Sequence, residues 1–242
     1  MGNIWKIFLK ELRGYLDSPS AYIFLIIFHI LGTSMFFFVS GFFRNQMANL
    51  GGFFVFMPWL LLFFVPAIAM RIWAEEKKSG TDELLLTLPL KDHEVVVGKY
   101  LAALVLLVIA LVLTFPLVLT VKHFADPKTP LDWGPIWCGY LGSLLLGATL
   151  LALGAWASSL SRNQIIAFII ACALGFGLIL LGFPFIYQLL PGGEIVARFS
   201  PYAHFVSLYR GVLDLADVVY YLTAIAFFLF LNIRSIESRK WA

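Results

Sequence analysis

The sequence predicts an all-α polytopic membrane protein, and three observations carry that prediction. Of 242 residues, 61% are hydrophobic and 13% charged, with a mean hydropathy of +0.92. A soluble domain carries roughly a quarter charged residues. Six apolar stretches, near 21–43, 53–73, 95–121, 133–159, 164–183 and 217–233, approach or exceed the roughly 17–25 residues that cross a hydrocarbon core. The 17 basic and 14 acidic side chains all fall at the ends of these stretches or between them. A mid-span Arg, Lys or Asp costs about 2.5–3.5 kcal/mol, against about 0.3–0.6 gained per Leu or Phe.

Residues 3–17 open the chain. Ile4, Trp5, Phe8, Leu9, Leu12, Tyr15 and Leu16 recur at helical spacing, with Lys6, Lys10, Arg13 and Asp17 on the opposite stripe. That pattern predicts an amphipathic helix lying in the membrane interface, too charged on one face to cross. The same interleaved charges argue against a cleavable signal peptide. Ser18-Pro19 ends the helix, because Pro disfavours helical geometry in the residue before it. Six crossings put both ends of the chain on one side. That side holds twelve of the basic residues and the other side five, so the basic side is expected to be cytoplasmic, with 71–94 and the Ser161-Arg162-Asn163 turn. The long connection 184–216 is then external.

Pro58 and Pro66 are expected to interrupt the second stretch and Pro116 the third, each by removing a backbone hydrogen bond. The fourth stretch has Ser143/Gly147 and Gly154/Ser158 at small-xxx-small spacing, which lets helices approach closely in lipid, either within one chain or at a dimer seam. In 184–216, turns at Pro191-Gly192-Gly193 and Ser200-Pro201 flank short amphipathic helices expected to dip into the outer leaflet. Arg210 and Asp214, four apart, are expected to pair there, and Asp217 to cap the last span. Cys138 and Cys172 have no metal or disulfide spacing and read as packing residues.

One dense polar segment breaks the apolar pattern, at residues 71–89. Arg71 and Glu75 are four apart on one helix face. Gly80 breaks that helix, and Thr81 is a candidate cap for a second, with Asp82 and Glu83 in its first turn. Leu84, Leu85 and Leu88 then form an apolar ridge that Pro89 ends. By residue chemistry the ridge reads equally as leucines dipping into lipid or as a knob for a soluble partner.

The pattern Arg-x-x-x-Glu-Glu-Lys-x-x-Gly-Thr-x-Glu-Leu-Leu-Leu-Thr-x-Pro, followed by Gly98-Lys99-Tyr100, resembles the permease subunits of ABC-2 type transporters. It is most similar to the gliding-motility-associated (GldF-like) group, with the copper-maturation (NosY-like) permeases as relatives. Lys10-Glu11-Leu12-Arg13 with Ser18-Pro19 resembles the family's elbow helix, and Ser200 to Phe205 with Arg210 to Asp214 its last external segment. One departure is Lys91-Asp92, where a Ser or Thr cap is expected and Asp92 is expected to serve instead. The resemblance implies a single transmembrane domain over 1–242: elbow helix 3–17, six spans, a coupling helix at 81–89 between spans two and three, and external re-entrant helices over 184–216. It implies that Glu75, Glu76, Gly80, Thr81, Glu83, Leu84, Leu85, Leu88 and Pro89 meet an ATPase, supported by Lys10, Arg13 and Arg71. His204, Arg210 and Asp214 would mark the external segment. The implied partners are a cytosolic ABC ATP-binding subunit carrying ATP and Mg, a second permease chain, a periplasmic or membrane auxiliary protein, and the bilayer. The role would be export or mechanical signalling across the inner membrane.

The residues agree with that division of labour. The one Gly-Lys dipeptide, Gly98-Lys99, has His93 rather than Gly five positions before Gly98, so the chain has no GxxxxGK phosphate loop. Scattered basic residues exclude a nucleic-acid surface. The reading of a different class is an integral-membrane lipid-modifying enzyme with His204 as base. His204 and Asp214 are ten positions apart, offset by about 80° and ~15 Å on a straight helix, which argues against it. His29, inside the first stretch, is expected to bond a facing helix.

Overall fold

The computed structural model describes residues 2–45, 49–81, 90–126, 130–189 and 191–238, and every regular element among them is a helix. Helix α1 (Gly2–Leu16) buries Ile7 and Tyr15 and leaves its basic stripe outward. Ser18 is extended, at φ −88° and ψ 119°, and α2 (Pro19–Ser34) starts on Pro19, whose missing N–H is no loss at a helix start. One π-helical turn (Met35–Val39) ends this span, and α3 (Phe42–Asn45) follows. Phe36 there packs against Phe42 and edge-on to Phe53.

Helix α4 (Gly51–Ala69) runs unbroken through Pro58 and Pro66, against expectation. Pro66 frees the carbonyl one turn back, and Cys172 Sγ donates to that Leu62 oxygen at 3.5 Å. The break comes instead at Met70, after which α5 (Arg71–Ser79) continues the span. Gly80 ends α5 in the left-handed region at φ +70°, as the sequence predicts. Helix α6 (Asp92–Val112) stops four residues before Pro116, where the proline ring would strike the carbonyl of residue 112, and α7 (Phe115–Phe124) resumes with the proline in its first turn.

Helix α8 (Trp133–Leu160) is the hub on which α4, α6, α9 (Gln164–Leu180) and α13 (Leu215–Glu237) pack. Its small residues are consumed inside the chain. A β-carbon built on Gly147 would lie 2.7 Å from Leu107 Cδ2, and one on Gly154 only 2.6 Å from Ala69 Cβ. Three short helices, α10 (Pro184–Tyr187), α11 (Gly193–Ala197) and α12 (Pro201–Tyr209), fill the connection to α13.

Among the described residues, five helical spans are long and apolar enough to cross a bilayer, against the six expected: Pro19–Val39, Gly51–Ser79, Asp92–Phe124, Trp133–Leu160 and Leu215–Glu237. Helix α9 is as apolar but has 17 residues. At 1.5 Å per residue it is about 26 Å long, against a core of about 30 Å.

Three cap and pairing expectations are corrected. Asp92 is the first helical residue of α6, not its cap. The chain turns at Lys91, whose N–H donates to Glu94 Oε2 at 3.2 Å. The last span is capped by Asp214, whose Oδ1 accepts Ala216 N–H at 3.0 Å, and not by Asp217. Occupied as a cap, Asp214 makes no ion pair with Arg210 among the described residues. The fourth correction is His29, whose Nδ1 lies 2.7 Å from Leu25 O of its own helix rather than a facing one.

Candidate functional site

The site is built from Gly98, Lys99 and Tyr100 in the second turn of α6. Successive helical residues point about 100° apart, so three neighbours in sequence address three neighbours in space. Gly98 faces α1: a β-carbon there would sit 2.9 Å from Ile7 Cγ2 and 3.2 Å from Ile4 O. Tyr100 faces α8, donating its hydroxyl to Ala148 O at 3.1 Å. Lys99 faces α5 and is 2% exposed. Its ammonium donates to Glu76 Oε1 at 2.7 Å, Glu11 Oε1 at 3.2 Å and Ile72 O at 3.2 Å, satisfying all three N–H groups. The Trp73 ring lies beneath it, 5.2 Å to the centroid. One buried cation therefore joins α1, α5 and α6.

A second joint lies beside it. Arg71 Nε donates to Glu75 Oε2 at 2.7 Å, and its Nη1 reaches Ser18 Oγ and Ser20 Oγ, each at 2.5 Å, across the α1–α2 corner. The two joints flank a cavity of about 360 Å³ between α1 and α5, lined in part by Glu11, Tyr15, Arg71, Glu75 and Thr81. Burial, with the Glu11 carboxylate beside it, pushes the Tyr15 phenol up, so this wall stays uncharged.

On its other side α5 is tied to α8. Trp73 N–H and Ala74 N–H both donate to Ser158 Oγ, at 3.1 and 3.2 Å, and Ser158 Oγ donates to Met70 O at 2.9 Å. Lys77 Nζ donates to Ser159 O, and Ser159 Oγ lies 2.9 Å from Ser235 Oγ of α13.

Of the residues singled out from sequence, Glu75, Glu76 and Arg71 meet at these joints, and Lys10 stands on the rim, 3.6 Å from Glu11 with its side chain 68% exposed. Arg13 is exposed and takes no part in either joint. Thr81 Oγ1 turns back to Ser79 Oγ at 3.0 Å, at the end of α5. Glu83, Leu84, Leu85, Leu88 and Pro89 lie outside the described residues. Glu11 and Lys99 entered the sequence reading only as parts of the family-like motifs, and Ser158 only as a small packing residue; their contacts were not foreseen. The available signal was a Lys just inside an apolar helix next to a Gly, a charge that must find partners.

At the opposite end, His204 does not meet Arg210 or Asp214. Its Nδ1 lies 2.6 Å from Asp217 Oδ1 and its Nε2 2.9 Å from Arg198 O, while Ser207 Oγ donates to Asp217 Oδ2. Tyr220 stacks on the imidazole at 4.0 Å, and the hydroxyls of Tyr220 and Tyr221 donate to Phe199 O and Pro201 O, each at 2.6 Å. These contacts clip α11 and α12 to the start of α13. With both ring nitrogens occupied and the serine bonded to the carboxylate rather than the ring, the group has the form of a structural clip and not of a base beside a nucleophile.

Compared with known protein families, residues 48–233 match the model of the family described as ABC-2 family transporter protein. No curated protein matches the chain.

Proposed function

The chain belongs to the ABC-2 transporter family, and from that premise we propose that it is a permease subunit driven by ATP hydrolysis on a separate cytosolic chain. The observation that carries the reading is the Lys99 joint. It binds α1, α5 and α6 into one unit, and α5 and α6 are the helices that precede and follow residues 82–89 in the sequence. A push on that segment would enter through α5 and pass through buried charge to the elbow and to the third span. The excess of basic residues at this end supports a cytoplasmic face. Both termini are then cytoplasmic, α9 completes a sixth span with its following turn, and two permease chains pair over two ATP-binding subunits that hold ATP and Mg. In this proposal the 81–89 segment is the coupling helix, and Leu84, Leu85 and Leu88 its docking ridge.

Within the family, the sequence pattern is most similar to the gliding-motility-associated (GldF-like) group, and copper maturation of the NosY-like kind is the alternative role. Cys138 and Cys172 are isolated, half-buried thiols and give a copper path no support. The clipped geometry of His204 gives none to a lipid-modifying enzyme.

The test is co-purification. The triple variant Glu83→Ala, Leu84→Ala, Leu85→Ala is expected to reach the membrane at wild-type level and to lose an ABC ATPase encoded by a neighbouring gene. Retention of that ATPase by the triple variant would sink the docking assignment.

A further inference from the structure

A serine at a helix seam needs one acceptor for its hydroxyl. Ser158 does more than that. It receives Trp73 N–H and Ala74 N–H and donates to Met70 O, three backbone groups from a single turn of the second span. In an unbroken helix Ala74 N–H would donate to Met70 O. Here the hydroxyl of another span stands between them, and a side chain inserted into the i→i−4 ladder is one of the identifiable causes of a bend. Gly154, one turn earlier on α8, brings the two backbones close enough for this, facing Ala69 Cβ at a distance no side chain could share. At the far end of α5, Lys77 binds Ser159 O. Helix α5 is thus held to α8 at both ends, while its own ladder to α4 is interrupted.

We propose that Ser158 is a positioning residue that makes the Met70–Ala74 turn a hinge, so that α5 travels with α8 and swings relative to α4. The proposal rests on the permease reading in taking α5 as the element that receives the stroke. It adds that motion passes to the hub helix directly, without first bending the second span as a whole. The nine residues of α5 make a lever of about 14 Å, so a change in bend of about 20° moves its tip by about 5 Å.

Spin labels test this in nanodiscs, after Cys138→Ser and Cys172→Ala, with cysteines placed in pairs that join Ser79 to Leu160 and to two exposed positions beside α4, Ile23 on α2 and Ile165 on α9. In the permease alone, Ser158→Ala closes the ladder and should carry the Ser79 label about 5 Å sideways, changing the 23–79 or the 79–165 mean distance by several Å. Ser158→Cys, closer in volume but a poor hydrogen-bonding partner, should do the same. Both lateral distances within about 1 Å of the parent in both variants would overturn the hinge. With the ATPase bound, a non-hydrolysable ATP analogue should change the 23–79 distance and leave 79–160 constant. The reverse pattern would overturn α8 as the carrier. An ATPase that fails to assemble on the parent chain overturns the permease reading instead, and the permease-alone arm still decides the hinge.

Discussion

Lys99→Met should be the most damaging single substitution at the site. It keeps the length of the side chain and removes its charge. In an effective dielectric of 20, unit charges at the observed 2.7 and 3.2 Å attract by about 6 and about 5 kcal/mol before desolvation is counted. Desolvation offsets much of that in the intact joint. The variant, however, leaves two carboxylates whose side chains are 15% and 18% exposed facing each other without their buried cation, with only the exposed Lys10 on the rim at 3.6 and 4.0 Å. Breaking a buried pair in this way costs about 3–5 kcal/mol. For a chain of this size, about 2–4 °C per kcal/mol translates that into a fall in Tm of roughly 6–20 °C. The measurement is thermal unfolding in nanodiscs. The informative companion is the triple variant Lys99→Met, Glu11→Gln, Glu76→Gln, which removes all the charges together. Removing both sides of a buried pair is often near neutral, so the triple should recover most of the loss. A fall under about 2 °C for the single variant, or no recovery in the triple, would refute the claim that this joint holds the elbow to the spans.

Two further substitutions probe the geometry. Gly98→Ala drives a methyl group into Ile7 and the Ile4 carbonyl, and overpacking of this kind costs about 1–3 kcal/mol. Ile7→Ala in the same chain should recover part of that loss of Tm, since it clears the nearer of the two obstructions. At the opposite end, Asp214→Ala removes a helix cap and should cost about 1 kcal/mol. Asp217→Asn weakens two charge-assisted contacts and should cost about 2–4 kcal/mol, by the same unfolding measurement. Equal costs would mean that Asp217 does no more than a cap does.

The elements were legible because their signals are local. Apolar length gave five of the six expected spans, and Ser18-Pro19 and Gly80 stop helices by their own backbone preferences. Arg71 and Glu75 lie on one face of one helix, so spacing alone was enough to pair them. What spacing could not reach was any contact between distant elements. Glu11 and Lys99 are 88 positions apart, and Ser158 meets Trp73 from 85 away. Asp217 shows the same limit from the other side. A carboxylate near a helix start reads as a cap, and only packing of α12 against α13 reveals that His204 and Ser207 claim it. Pro66 misled for a related reason. Its lost hydrogen bond is partly made good by Cys172 of α9, so the helix survives the proline and breaks where Ser158 enters.

The tripeptide Gly98-Lys99-Tyr100 also sets an order of events during synthesis. The elbow helix is made first, yet its counter-charge arrives 88 residues later. At about 5–20 residues per second the Glu11 carboxylate waits roughly 4–18 s for its buried partner. Until then α1 lacks that buried counter-charge, and Arg71, made earlier, can tie only the corner after it through Ser18 and Ser20. Emergence of the third span docks the elbow and the end of the second span together, because one ammonium serves both. Tyr100 stays unpaired until the hub helix follows. The third span is therefore the clasp of biogenesis, and a nascent chain stalled before it would leave the elbow undocked.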